Sequence, residues 1–236
     1  MIQAVLFDVD GTLYHQPPLR VLMAGELGAA SWIRTAPWNV PRLWRMLSVF
    51  RRVREELRTL GRADQPLDRL QYTRAAERAG VPVIDMEAAV EEWIYTRPLK
   101  YLPRVVRSGM ADVLSALDAR GLRLGAFSDY PVAEKLQAMG LRSKMSLELE
   151  ATAEAINAFK PHPRGLEMAC ERWGLPPGDV LYVGDRVDVD ARAAGALGMP
   201  CAIVGGSSSD PAPWPYRRLR RMQDLLEQAA DSEGSR

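Results

Sequence analysis

The sequence predicts an α/β protein: a Rossmann-like, doubly wound parallel sheet interrupted by an inserted all-α module. Three observations carry this expectation. Short apolar, β-rich runs recur at residues 4–7, 123–127, 180–183 and 201–204, with a weaker one at 147–149. Such uninterrupted runs suit strands buried on both faces. Helical patterns fill the intervals at 110–119, 132–139, 164–173 and 190–197. Gly121, Gly140, Gly174 and Gly198 follow them, where a left-handed residue closes a helix. Strand–helix alternation of this kind builds a parallel sheet with helices on both sides. Between Tyr14 and about Pro103, finally, strand signals vanish.

That silent stretch reads as helical. Residues 42–60 place Leu43, Leu47, Phe50, Leu57 and Leu60 on one stripe with arginines elsewhere, and 65–79 and 86–95 read as two more helices. The expected division is therefore a catalytic core of residues 1–14 and 104–236, with a helical insertion at 15–103. The charge supports it. Residues 15–104 hold 15 basic and 10 acidic side chains, while the whole chain carries 31 and 30. Beyond the last strand, 207–215 reads as a Ser/Pro-rich loop, 216–230 as a terminal helix and 231–236 as a frayed end. No internal repeat is evident.

Composition narrows the function. With 47% hydrophobic and 26% charged residues over 236 positions, the chain can bury a sizeable core and is not disordered. A net charge of +1 gives no general attraction to nucleic acid or acidic lipid, so neither is an expected partner. No run approaches the roughly 18 apolar residues of a membrane span. The start of the chain lacks a basic region and reaches Asp8 early, unlike a signal peptide. Two cysteines, Cys170 and Cys201, cannot make a disulfide framework, and a cytoplasmic location is expected.

In a doubly wound sheet, ligands bind beyond the carboxyl ends of the strands. Those ends carry Asp8-Val9-Asp10-Gly11-Thr12, Ser128-Asp129 and Gly184-Asp185, with Asp188 and Asp190 close behind; Lys160-Pro161 precedes a helix. Asp8 and Asp10 leave one strand two residues apart, which puts both carboxylates on one side. Crowded carboxylates need a neutralising partner, and an oxygen-only set suits Mg²⁺. Each element alone also has a plain structural reading: a strand-ending turn for the Asp pair, a helix N-cap for Ser128, a solvated lysine for Lys160. Their recurrence in one order at strand ends favours a site.

That order resembles the haloacid dehalogenase-like hydrolase superfamily. Phe7-Asp8-Val9-Asp10-Gly11-Thr12-Leu13 is similar to its first motif, Phe127-Ser128-Asp129 to its second and Phe159-Lys160-Pro161 to its third. Val183-Gly184-Asp185 with Asp190 is similar to its fourth. The likeness covers about residues 1–14 and 104–206, and the insertion sits where the superfamily carries an α-helical cap. Within the superfamily the chain looks closest to phosphoglycolate-phosphatase-like hydrolases.

The resemblance implies a Mg²⁺-dependent phosphatase of a small phosphorylated metabolite. Asp8 would be the nucleophile and Asp10 the general acid and base. The metal set would be Asp8, Asp10 through its backbone carbonyl, Asp185 and Asp190. Asp190 would act through water or orient Lys160; Asp188 would be the turn residue or, alternatively, the acid nearer the metal. Lys160 would offset phosphoryl charge; Ser128, Asp129 and Gly11 would bind phosphate oxygens. True dehalogenases of the superfamily lack the second Asp, so Asp10 points to phosphate chemistry. A phosphosugar mutase and a non-catalytic binding protein on the same scaffold are the alternatives.

Other residues are expected to be structural. His15 and His162 read as loop residues and Cys170 and Cys201 as small core residues. Trp32, Trp38, Trp44 and Trp93 lie in the insertion among arginines. They fit a helical core with solvated arginine faces, a pocket lining for an anionic or aromatic substrate, or a membrane-surface helix over 42–58, which Glu55 and Glu56 count against. The insertion is expected to set substrate choice and leave the chemistry to the sheet. A monomer or a dimer fits equally.

Overall fold

A computed structural model describes residues 1–33, 39–205 and 213–226. Six strands form its sheet: β1 (Ala4–Phe7), β2 (Arg123–Ser128), β3 (Leu147–Glu150), β4 (Val180–Gly184), β5 (Cys201–Val204) and β6 (Arg217–Leu219). They run parallel in the order β3-β2-β1-β4-β5-β6. The chain reverses its direction of winding at β1, which makes the carboxyl ends of β1, β2 and β4 a natural ligand crevice. Phe7 is in register with Ala126 on one side and Val183 on the other, so Asp8 emerges between Phe127-Ser128 and Gly184-Asp185.

Alternation along the strands splits the core into two layers. Val5 and Phe7 of β1 pack with Met110, Val113 and Leu114 of α6 (Met110–Ala119) and Leu136 of α7 (Ala133–Ala138). Ala4 and Leu6 belong to the opposite layer, with Leu166, Ala169 and Trp173 of α8 (Arg164–Trp173) and Ala193 and Ala194 of α9 (Arg192–Gly195). That second layer continues without a break into the insertion, through Phe50, Leu57, Met86 and Trp93.

The insertion is all helical among the described residues: α1 (Gln16–Ile33), α2 (Asn39–Leu57), α3 (Leu67–Ala79), α4 (Val83–Val90) and the short α5 (Leu102–Val105), with a π turn and a 3₁₀ turn between the last two. α1 has no counterpart in the sequence reading, because Pro17, Pro18, Gly25 and Gly28 look like breakers. Both prolines fall in its first turn, where the missing N–H has no intrahelical partner. The insertion leaves and re-enters the core at one place: His15 N–H donates to the Val105 carbonyl at 2.9 Å and Arg107 N–H to the Leu13 carbonyl at 3.0 Å. A second join lies far from this hinge. Arg62 bridges Ala158, and Asn157 Nδ2 donates to the Ala63 and Gln65 carbonyls at 2.8 and 3.0 Å while its Oδ1 accepts the Leu67 N–H at 2.8 Å.

Two expectations are overturned. The terminal helix at 216–230 begins instead as the edge strand β6. Leu219, Met222 and Leu225 have helical spacing, but pairing against β5 buries Leu219 first, and helix is confined to 224–226 among the described residues. The arginine face of α2 is not all solvated: Arg54 is buried and Arg58 largely so, whereas Leu60, assigned to the apolar stripe, is exposed. Trp93 is core and Trp44 is 62% exposed, so the tryptophans do not form one layer. Trp38, the Trp32 side chain, residues 207–212 and residues 227–236 lie outside the described residues. No described helix is long and apolar enough to cross a membrane.

Packing between α8 and β2 leaves no room at Gly165, where an added Cβ would sit 2.0 Å from the fully buried Phe127 ring. Gly165→Ala is expected to lose about 1–3 kcal/mol in urea unfolding. Gly178→Ala, which meets nothing within 4 Å, is expected to stay within about 0.5 kcal/mol of wild type.

Candidate active site

Asp8 stands at the end of β1 and is buried. Its Oδ1 accepts from Lys160 Nζ at 2.6 Å and its Oδ2 from the Thr12 hydroxyl at 2.8 Å. Lys160 Nζ donates further to Asp190 Oδ1 at 2.8 Å and to the Tyr182 hydroxyl at 3.0 Å. An ammonium has three hydrogens, and these partners take all of them. Burial alone would lower the Lys160 pKa, but Asp190 and then Asp8 outweigh it and hold the lysine charged, well above its usual range. Burial pushes the Asp8 carboxyl well above its usual range; Lys160 opposes the rise, and Asp190, Asp185 and Asp10 add to it.

Asp190 has no lone pair to spare. Oδ1 accepts from Lys160 and from the Tyr182 hydroxyl at 3.0 Å, and Oδ2 accepts the Asp185 and Arg186 N–H groups at 3.2 and 3.0 Å. A carboxylate offers about four acceptor sites, so this geometry makes Asp190 the residue that orients Lys160. Asp188 is exposed and pairs with Arg186 at 2.7 Å, away from the cluster.

Asp10, the second member of the pair, carries three donors: the Tyr14 hydroxyl at 2.6 Å and Lys135 Nζ at 2.5 Å on Oδ1, and the Ser128 hydroxyl at 2.7 Å on Oδ2. Burial would raise its pKa; Lys135, helped by the two hydroxyls, outweighs burial and holds the carboxyl below its usual range. Ser128 is not a helix N-cap. Its oxygen accepts the Tyr130 N–H at 3.0 Å, and the start of α7 is served by Glu150 Oε1, which accepts the Val132 N–H at 2.9 Å. Asp129 uses its side chain on its neighbours: Oδ1 accepts the Lys160 N–H at 3.1 Å and Oδ2 accepts Arg58 Nη1 at 2.6 Å. Burial would raise its pKa, but Arg58 above all holds it low.

The carboxylate oxygens of Asp8, Asp185 and Asp190 come within 4.8 Å of one another. Three carboxylates against one ammonium leave about two negative charges in a buried space, which a divalent cation would neutralise. Burial and then Asp190 push the Asp185 carboxyl up to about 6. Gly11, at φ +98°, makes the approach possible: any Cβ there would lie 2.0 Å from Asp185 Oδ2. The cluster of Asp8, Asp185 and Asp190 therefore fits a hard cation.

Sequence reasoning missed Tyr14, Lys135, Tyr182 and the two arginines Arg54 and Arg58. One signal was present: Lys135 interrupts the apolar stripe of Val132, Leu136 and Met139, where a lysine needs a buried partner. His15 is exposed, and His162 accepts the Arg164 N–H at 3.2 Å within a turn. Cys170 and Cys201 are free and buried.

A model of haloacid dehalogenase-like hydrolases matches residues 2–198. The chain belongs to this family. It is similar to a phosphoglycolate phosphatase of Shigella boydii serotype 4 (strain Sb227), 30% identical over 223 residues that span 84% of this chain and 79% of the relative. Among solved structures it shares its fold with a 2-haloacid dehalogenase from Pseudomonas syringae pv. Tomato DC3000, at TM-score 0.69 and 22% identity over 98% of this chain and 100% of that one. A HAD phosphatase from Thermococcus onnurineus matches at TM-score 0.64 and 22% identity, over 97% and 98%.

The contrast between Asp190 and Asp188 is testable without a substrate. Asp190→Ala strips Lys160 and two backbone N–H groups of their acceptor and is expected to cost about 3–5 kcal/mol. Asp188→Ala removes an exposed ion pair and should cost at most about 1 kcal/mol. Chemical denaturation of the two variants measures both.

Proposed function

We propose that the protein is a cytoplasmic, Mg²⁺-dependent phosphatase that hydrolyses a small phosphorylated metabolite through an aspartyl-phosphate on Asp8. The observation that carries this reading is the pair of carboxylates at the end of β1, Asp8 against Lys160 and Asp10 in a separate set of donors. Two acids side by side in different environments can take different roles. The second carboxylate favours phosphate over carbon–halogen chemistry, although dehalogenases share the fold. The phosphoglycolate phosphatase relatives support the same choice and make 2-phosphoglycolate the first compound to test.

Asp8 attacks phosphorus, forming the Asp8–phosphorus bond as the ester bond to the alcohol breaks. Asp10, whose carboxyl Lys135 holds below its usual range in the free fold, would take up a proton as the anionic ester binds; it then gives that proton to the leaving oxygen and takes one back from the water that attacks the acyl phosphate, which frees phosphate and restores the Asp8 carboxylate. Lys160 lies against Asp8 and offsets charge on the transferring group. The Ser128 hydroxyl and the Gly11 and Asp129 N–H groups would bind phosphate oxygens. Asp8, Asp185 and the Asp10 carbonyl would hold the metal. Bound Mg²⁺ supplies charge neutralisation between the carboxylates and the phosphoryl group. The helical insertion, placed over the strand ends, is the cap.

The test is phosphate release from 2-phosphoglycolate and from p-nitrophenyl phosphate, with and without Mg²⁺. Asp8→Asn is expected to lose activity by on the order of 10⁴-fold or more with an unchanged fold. Mg²⁺-dependent turnover in that variant rules out the covalent route, and turnover only as phosphoryl return to a phosphosugar identifies a mutase.

Asp185 gives a second test through pH. Its carboxyl titrates near 6 in the metal-free fold against 3.8 for an ordinary Asp. Between those values the fold holds the extra proton, so this group's contribution to metal-free stability falls as pH rises towards 6 and stays lost above it. Mg²⁺ must displace that proton. Its apparent affinity, read from the rise in melting temperature, should therefore fall by about tenfold or more per pH unit below 6, with Asp8, also held above its usual range, adding to the fall. Asp185→Ala should abolish the Mg²⁺-dependent rise in melting temperature, and Asp188→Ala should keep it.

A further inference from the structure

We infer that Arg58, on the 3₁₀ turn that ends α2, is a positioning residue for Lys160, so that the helical insertion is part of the catalytic framework as well as a lid over it. This goes beyond the proposed phosphatase reading and uses it only for the kinetic arm of the test.

Arg58 crosses from the insertion to the sheet. Its Nη1 donates to Asp129 Oδ2 at 2.6 Å and to the Lys160 carbonyl at 2.6 Å, and its Nε donates to Glu55 at 3.2 Å. Asp129 Oδ1 in turn accepts the Lys160 N–H. The Lys160 peptide is thus gripped on both sides, its carbonyl by Arg58 and its N–H by an aspartate that Arg58 holds. The side chain that reaches Asp8 leaves from that fixed point. With 13% of its side chain exposed, Arg58 sits where a charge-assisted contact is screened little.

Two further contacts fasten the same segment to the insertion. Arg54, one turn earlier on α2, donates to the Asp129 carbonyl and to Gln71. Its guanidinium lies 4.0 Å from the Tyr130 ring centroid and 4.4 Å from that of Phe159, the residue before Lys160. Asn157, two residues before Phe159, is bound to the 63–67 loop of the insertion by the three side-chain hydrogen bonds described above. The segment 157–160 therefore takes its shape from both parts of the chain. On this inference the insertion is more than a separable device for substrate choice.

The test compares Arg58→Met, Arg58→Lys and Asn157→Ala with wild type. Hydrogen exchange at the Lys160 amide reads positioning without any substrate. It is expected to speed up in Arg58→Met and in Asn157→Ala, and to return towards wild type in Arg58→Lys, which keeps a charged donor. On p-nitrophenyl phosphate with Mg²⁺, an ester too small to need the insertion, kcat should fall about 100-fold in Arg58→Met with KM within about threefold. Arg58→Lys should recover most of the loss. Wild-type exchange at Lys160 in Arg58→Met, or a raised KM with kcat intact, overturns the inference. If Arg58→Met does not fold, unchanged exchange and kcat in Asn157→Ala overturn it instead. A wild type that cleaves no phosphate ester refutes the proposed function but leaves the exchange result to decide on Arg58.

Discussion

The site is organised around one buried positive charge. Lys160 is almost wholly buried, so each hydrogen of its ammonium needs an oxygen inside the protein. It finds them on Asp8, Tyr182 and Asp190, which come from three different places: the end of β1, the middle of β4 and the π turn after β4. Satisfying one cation thus fixes the relative position of two adjacent strands and a turn. Asp190 repeats the logic with the sign reversed, since its four acceptor positions tie Lys160 and Tyr182 to the backbone that carries Asp185. The nucleophile candidate and the metal candidate are held at a set distance by a lysine and an aspartate that lie between them.

Much of this was legible in the sequence, for a physical reason. Buried parallel strands need apolar runs, and a chain must turn where those runs stop, so the four strand ends and Asp8, Asp10, Ser128 and Asp185 stand out without any coordinates. The network around them did not stand out. Tyr182 reads as one more apolar strand residue, although its hydroxyl sits at the centre of the charge network. Arg54 and Arg58 read as members of a solvated face, because a helix pattern shows which side is apolar and not which polar residues are met by a partner from another part of the chain. The terminal segment failed for a related cause: the spacing of Leu219, Met222 and Leu225 is local, and the vacant edge of β5 that draws residues 217–219 into the sheet is not.

The second carboxylate of the pair has an environment of its own. Asp10 stands in a cage of Tyr14, Lys135 and Ser128, none of which is a partner of Lys160 in its network with Asp8, Tyr182 and Asp190. The two aspartates are two residues apart in sequence yet answer to different cations. Lysine contacts of this kind divide the negative charge of one turn into two electrostatically distinct halves. Arg107, which donates to the Gly11 and Thr12 carbonyls at 2.6 and 2.8 Å, braces the turn itself.

The hinge between Tyr14 and Val106 bears on how the chain assembles. β1 and β2 are neighbours in the sheet, with Ala4 opposite Arg123, yet the whole insertion lies between them in sequence. Parallel pairing across so long a loop must overcome closure entropy before any strand contact rewards it. Helices that form early and bring residue 14 beside residue 106 shorten the open loop roughly fourfold, which lowers that cost by about 1 kcal/mol. The same antiparallel bridge that marks the boundary of the insertion is thus a staple for the central strand pair, and loosening it slows the formation of the sheet before it weakens the finished one.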